Sequence, residues 1–152
     1  MDYATLIPFF DGIPLVYLAN SVKNHPHVRA VSLIQHREQL WFCSGADRPK
    51  FQQLKENNFI EFTLLARIDN EFHNIRAAGI ALEITAPSTR SELAEVIPFF
   101  QGYWSTPEDP NFVLYRLDIH PLEYHPPGGK EYFLLDLGAG TSQRFEKHFR
   151  KT

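Results

Sequence analysis

Four positions break the pattern of their surroundings in ways that suggest chemistry: Arg29, Ser44, Lys50 and Asn74. Arg29 alternates with Val31 and Leu33, which puts a guanidinium on an otherwise apolar strand face. A buried unpaired charge is very costly there, so it needs either an Asp or Glu within the sheet or an anion from outside. Lys50 falls in the first turn of a short helical pattern opened by Pro49, where a cation opposes the helix dipole. An anion at that helix end offsets both anomalies, because exposed backbone N–H groups and a cationic side chain together make a phosphate site. Ser44, just ahead of the helix, adds a hydroxyl donor. Asn74 shares a strand face with Phe72, Arg76, Ile80 and Leu82. Each position also has a plain structural reading: a sheet ion pair for Arg29, a solvated lysine for Lys50, a strand start beside the Asp69-Asn70-Glu71 turn for Asn74.

Other reactive side chains carry less. His25-Pro26-His27 and the pair His120 and His125 sit near prolines in turns, where histidines are ordinarily surface residues, and no carboxylate pattern supports a metal site. Cys43 is the one cysteine; in an apolar strand it acts as a small hydrophobe rather than a nucleophile. No nucleophile elbow, Walker loop or paired zinc motif occurs. No residue is assigned as catalytic and none as a metal ligand.

The elements that must position these groups are mainly strands. The first ten residues suit a short helix with Leu6, Phe9 and Phe10 near helical spacing, ended by Asp11-Gly12. Leu15–Asn20 reads as a first strand, Lys23–Pro26 as a turn, and Val28–Ile34 as a second strand forming a hairpin with a third at Leu40–Cys43. A helix over Arg48–Glu56 turns Phe51 and Leu54 inward. Phe59–Ala66 follows as a fourth strand, with Ile60, Phe62 and Leu64 on one face, and Phe72–Ile84 as a long fifth. Thr89-Arg90-Ser91-Glu92 is a capping-box pattern that opens another helix, which Pro98 kinks or ends. Trp104 and a Ser105–Pro110 loop lead into a sixth strand, Phe112–Tyr124. Tyr132–Leu137 is a seventh, and the tail from Thr141 reads as helical, with Arg144, Lys147, Arg150 and Lys151 as a solvated basic helix end. No regular β-α-β alternation appears, so an antiparallel barrel or sandwich with short helices is expected over one domain, residues 1–152.

The order of these segments resembles the pyridoxamine 5′-phosphate oxidase-like FMN-binding split β-barrels, over roughly residues 12–124. Val28-Arg29-Ala30-Val31-Ser32-Leu33 is similar to that family's second-strand motif. The run Leu40 to Lys50, WFCSGADRPK after its leucine, resembles its third strand and phosphate-binding turn; His73-Asn74-Ile75-Arg76-Ala77-Ala78-Gly79 resembles its fifth strand. The resemblance implies that Arg29 and Lys50 hold the FMN phosphate, and that backbone groups at Ala30, Val31, Ser32, Cys43 and Ser44 lie along the flavin. Asn74 would stand where the family often has a glutamine near the isoalloxazine ring. It also implies a homodimer with the cofactor at the two-fold interface, to which Trp104 is a candidate contribution from the partner chain. Departures exclude the vitamin B6 oxidase itself: Ile34 replaces a substrate-phosphate lysine, and its C-terminal arginine-and-histidine motif has no counterpart. The short branch with nitroimidazole-reductase-like proteins is the nearer likeness.

The implied function is an FMN-dependent oxidoreductase acting on an unidentified small molecule. The alternatives are a barrel that holds flavin, deazaflavin or haem for carriage or sensing, and a dimeric scaffold without cofactor. The bulk numbers set limits on partners. A net charge of −3 offers no basic stripe for nucleic acid. The N-terminus has no signal-peptide pattern and no apolar run is long enough to span a bilayer, so no membrane partner and a cytoplasmic location are expected.

Overall fold

The computed structural model describes residues 1–148. Alternation of apolar and polar residues drives most of its elements. Helix α1, Tyr3–Phe10, is started by Asp2, whose carboxylate accepts from the Thr5 backbone N–H (3.1 Å) and hydroxyl (2.9 Å). These hydrogen bonds hold the Asp2 carboxyl below its usual range. Leu6 and Phe10 are the buried face of α1. Strand β1, Leu15–Val22, turns Val16, Leu18 and Asn20 inward and leaves Leu15 and Tyr17 exposed. The Lys23-Asn24 turn, with positive φ at both residues, leads into β2, His25–Ser32. Then come β3 (Ile34–His36), β4 (Gln39–Gly45), α2 (Pro49–Glu56), β5 (Phe59–Ile68) and β6 (Glu71–Ile84). Helix α3 (Pro87–Val96) and a 3-10 turn at Phe100–Gly102 precede β7 (Phe112–His125), β8 (Glu131–Asp136) and β9 (Thr141–Glu146).

All strand pairs are antiparallel. The sheet runs β2-β1-β5-β6-β7-β4-β3, with β8 on β7 and β9 on β8. Curling brings β2 near β4, but no ladder joins them. That open seam makes the barrel split. Inside, Val16, Leu18, Phe42, Phe62, Ile75 and Leu122 form the main core. A second core of Trp41, Leu93, Phe100, Trp104 and Phe112 holds α3 and the 3-10 turn against the outer side of β4 and β7. Each such side chain stabilises the fold by about 1.5–3 kcal/mol through burial. No helix of the described residues is long and apolar enough to cross a membrane.

The fold departs from the sequence reading in four places. The second strand is two: β2 begins at His25, and Ile34 belongs to β3. Pro26 is tolerated in β2 because that strand is an edge, where a missing N–H breaks no ladder. The expected hairpin between the second and third strands does not form; β2 pairs with β1, and β4 with β3 and β7. Helix α3 begins at Pro87 with Ala86 as its uncapped first residue, so the Thr89–Glu92 pattern lies inside the helix. There Glu92 reaches outward to His36 (3.0 Å) and Arg37 (2.8 Å). The tail from Thr141 is a strand, not a helix: Phe145 stacks on Tyr132 with ring centres 5.0 Å apart, and Arg144 pairs with Glu131. Arg150 and Lys151 lie outside the described residues.

Candidate functional site

The seam between β2 and β4 opens into a cavity of about 650 Å3. One wall is β2 at Ala30–Ser32, another β4 at Cys43–Gly45, with Phe99, Tyr103, Trp104 and Asn111 opposite and Asp47, Arg48 and Lys50 at the start of α2. Only one edge of each strand is used there: Cys43, Ser44 and Gly45 pair with Leu114, Val113 and Phe112 of β7, and β2 pairs only with β1. The edges facing the seam therefore keep backbone donors and acceptors unused by the sheet, and a bound molecule can take them. A second hollow of about 460 Å3, lined by His27, Arg29 and Gln53, meets the first at Arg48 and Lys50.

Arg29 is fixed from three sides. Its guanidinium donates to the Leu18 carbonyl (3.3 Å), Asn20 Oδ1 (2.9 Å) and Gln53 Oε1. Every one of these acceptors is neutral, so the sheet ion pair that would have explained Arg29 structurally is absent. Among the described residues Arg29, Arg48 and Lys50 make no ion pair with a carboxylate. Lys50 is pushed below its ordinary pKa, chiefly by burial and then by the repulsion of Arg48 and Arg29. Arg29 is lowered by burial as well. Asp47 does not cap α2; the N-cap is Arg48, with no side-chain hydrogen bond. The Asp47 backbone N–H is tied instead to Asn111 Oδ1 (3.3 Å). A helix start without a cap, beside three cations that repel one another, is an arrangement that an anion completes.

The rest of the lining mixes one carboxylate, Asp47, with neutral groups. Cys43 is one of the latter: burial pushes its thiol up to about 12, so it is a protonated, weakly polar wall rather than a nucleophile. Ser44 is buried and donates to the Gly45 carbonyl (3.2 Å). Trp104 is 6% exposed, packed against Phe100 and Phe112, and its indole N–H finds no acceptor, whereas that of Trp41 donates to the His36 carbonyl (3.2 Å).

No family model matches the sequence, and no curated protein matches it by sequence. Comparison with solved structures gives matches along nearly the whole chain. A NimC/NimA family protein from Clostridium acetobutylicum superposes with a TM-score of 0.66 at 16% identity, covering 96% of this chain and 92% of that one. A putative pyridoxamine 5′-phosphate oxidase from Listeria innocua gives 0.65 at 16% identity, over 79% of this chain and 94% of its own. The chain has the pyridoxamine 5′-phosphate oxidase-like split β-barrel fold. A haem-binding protein from Mycobacterium smegmatis shares it too, with a TM-score of 0.66 at 11% identity over 96% of this chain and 58% of that one.

Within this split barrel, Ala30, Val31, Ser32, Cys43, Ser44, Lys50 and Trp104 line one cavity, and Arg29 lines the hollow that joins it. Asn74 lies away from both; its amide donates to Thr63 Oγ1 (2.7 Å) and the Leu64 carbonyl (3.1 Å). Trp104 belongs to the cavity wall of its own chain. Sequence reasoning missed Asn20, 7% exposed, which places Arg29 and ties down α2 through Gln53 O (3.0 Å) and Asn57 O (2.9 Å). A signal was present: Asn20 takes the inward position after Val16 and Leu18. Arg48, Tyr103 and Asn111 were also missed, and nothing local marks them. A larger depression, about 780 Å3, surrounds Gly79 and carries Glu38 and Asp118 with no Lys or Arg, so it does not suit an anion.

Proposed function

We propose that the protein is an FMN-binding flavoprotein that works as a homodimer and transfers electrons to or from a small molecule. The observation that carries this reading is the group Arg29, Arg48 and Lys50, without a carboxylate partner among the described residues, at the junction of the two cavities. A phosphate there would balance the charge, and the joined ring would extend along Ala30–Ser32 and Cys43–Gly45. The donor set suits a phosphate-bearing ring better than a haem: the larger cavity is lined by no His or Met, burial keeps the Cys43 thiol protonated, and His27 stands in the second hollow beside Arg29 and Gln53. When bound, FMN would supply the redox chemistry itself. The chain's own residues hold its phosphate, offer backbone groups to its ring and exclude water with the Phe99–Trp104 wall.

The dimer reading rests on the outward face of β1, β2 and β5, where Tyr17, Val28 and Leu65 are 57%, 70% and 60% exposed. Ladder neighbours Ala30, Tyr17 and Thr63 share that face, and Asn74 stands on it beside Leu65. Pairing through this face would let Asn74 serve the other protomer's flavin. The test is the visible spectrum of protein mixed with FMN and freed of excess, followed by NADH or NADPH and then an acceptor. Retained flavin bands that bleach and return support the oxidoreductase; retained bands without turnover make it a carrier; no retained flavin defeats the reading.

A further inference from the structure

The start of α2, which carries Arg48 and Lys50, has no side-chain cap, and its cations repel one another. The turn before it is tied to the loop that enters β7. The Asn111 carbonyl accepts from the Ala46 N–H (3.2 Å), and Asn111 Oδ1 accepts from the Asp47 N–H (3.3 Å). The fit is close: a Cβ on Gly45 would lie 2.4 Å from Asp47 Oδ1 and 3.3 Å from Asn111 Nδ2. Asn111 is held in turn by Asp109, whose carboxylate accepts from the Asn111 N–H (2.9 Å). That loop is fastened by Arg90 of α3. The guanidinium donates to the Pro107 carbonyl through Nε (3.1 Å) and Nη2 (2.7 Å), and to the Asp109 carbonyl through Nη2 (3.2 Å). It also lies over the Phe112 ring at 4.8 Å. Among the described residues it makes no ion pair with a carboxylate. A planar fork can serve two carbonyls while stacking on a ring, and an ammonium group cannot.

We propose that Arg90 is a positioning residue of the anion site: through the Pro107–Asn111 loop it sets the turn that presents Arg48 and Lys50, without touching the ligand. The proposal rests on the reading of those cations as a phosphate site. Arg90 lines neither cavity, so its effect on a ligand passes through the loop. The loop matters because the cations repel. A turn free to relax would spread them, and an anion would then have to reorder it on binding, which costs affinity.

Two measurements test this on wild type, Arg90→Ala, Arg90→Lys, Asn111→Ala and the double variant Arg90→Ala/Asn111→Ala. The first is amide hydrogen exchange of the ligand-free proteins. The Asp47 amide should exchange at least about 3-fold faster in every variant, while amides of β5 and β6 keep their wild-type rates. The second is FMN affinity, read from quenching of flavin fluorescence. Each single alanine variant should bind FMN about 3- to 10-fold more weakly, the scale of one lost hydrogen bond. The double variant should bind within about 2-fold of the weaker single one, because both changes break the same chain. Arg90→Lys keeps the charge but not the fork, and should bind like Arg90→Ala. Wild-type affinity in Arg90→Lys would mean that Arg90 acts by charge, and overturns the proposal. Unchanged affinity in Arg90→Ala, or losses that add in the double variant, overturn it too. So does faster exchange throughout β5 and β6, which would make Arg90 a support of the whole fold rather than of the turn. If wild type binds no FMN, the phosphate reading has failed on its own, and exchange at Asp47 still decides whether Arg90 sets the turn.

Discussion

Lys50 is held in an unfavourable place by the fold, and that cost is measurable. Its folded-state pKa lies below the ordinary 10.5, first through burial and then through Arg48 and Arg29. Between the lowered value and 10.5 the unfolded chain binds the Lys50 proton more readily than the folded one does, so stability rises with pH in that window. Below the window the charged Lys50 opposes folding by its full amount. Lys50→Gln is therefore expected to raise the thermal midpoint of FMN-free protein at neutral pH, with the gain fading as pH approaches 10.5. Inorganic phosphate should raise the midpoint of wild type more than that of the variant, since an anion relieves the same repulsion. A Lys50→Gln protein less stable than wild type at neutral pH would mean that the lysine is satisfied without a ligand.

Among the elements, β6 and β7 show how tightly backbone geometry sets the barrel. Their ladder shifts register between Ala77, paired with Leu122, and Gly79, paired with Ile119. Between these pairs Ala78 alone on β6 opposes His120 and Pro121 on β7, and the strands close up at that point. A Cβ on Gly79 would lie 1.9 Å from the Asp118 carbonyl oxygen, a backbone atom that cannot swing aside. Gly79→Ala should destabilise the protein by about 1–3 kcal/mol, read as a lowered midpoint in urea unfolding; an unchanged midpoint would refute the close approach. Strands that bury a face were legible in the sequence for a simple reason: Ile60, Phe62 and Leu64 alternate with exposed residues, and they are 4%, 1% and 3% exposed. Strand β9 was not legible, because Thr141–Arg144 are exposed and cross-strand pairs hold it rather than burial. The phosphate end was readable because Arg29 and Lys50 each violate a local rule. Of the aromatic wall only Trp104 was named from the sequence, as a contribution from the partner chain; Phe99 and Tyr103 were not, because they reach the seam through the docking of α3, which depends on barrel closure.

At the scale of the molecule, the exposed apolar row on β1, β2 and β5 is the feature a lone barrel does not explain. Tyr17 is flanked by Ala30 on one side and Thr63 on the other, with Val28 and Leu65 nearby on the same face. These exposed apolar residues, bordered on the same face by the Glu61–Arg76 ion pair, suit an association site, and an isologous contact places the same patch on both partners. Tyr17→Glu would set two like charges near the two-fold axis. Wild type is expected to sediment as a dimer and the variant as a monomer with unchanged circular dichroism; a monomeric wild type would remove the dimer from the account. The split barrel also explains why the candidate site lies where it does. The seam is the one place where β2 and β4 approach without a ladder, so backbone groups, an uncapped helix start and cationic side chains converge there. The account stands or falls on those cations. The most direct test is the FMN affinity of wild type against the Arg29→Ala/Lys50→Ala double variant, measured by quenching of flavin fluorescence. Each charge-assisted hydrogen bond contributes about 1.5–3 kcal/mol, so affinity should fall at least about 100-fold. Equal affinity in the double variant would contradict the assignment of the phosphate site.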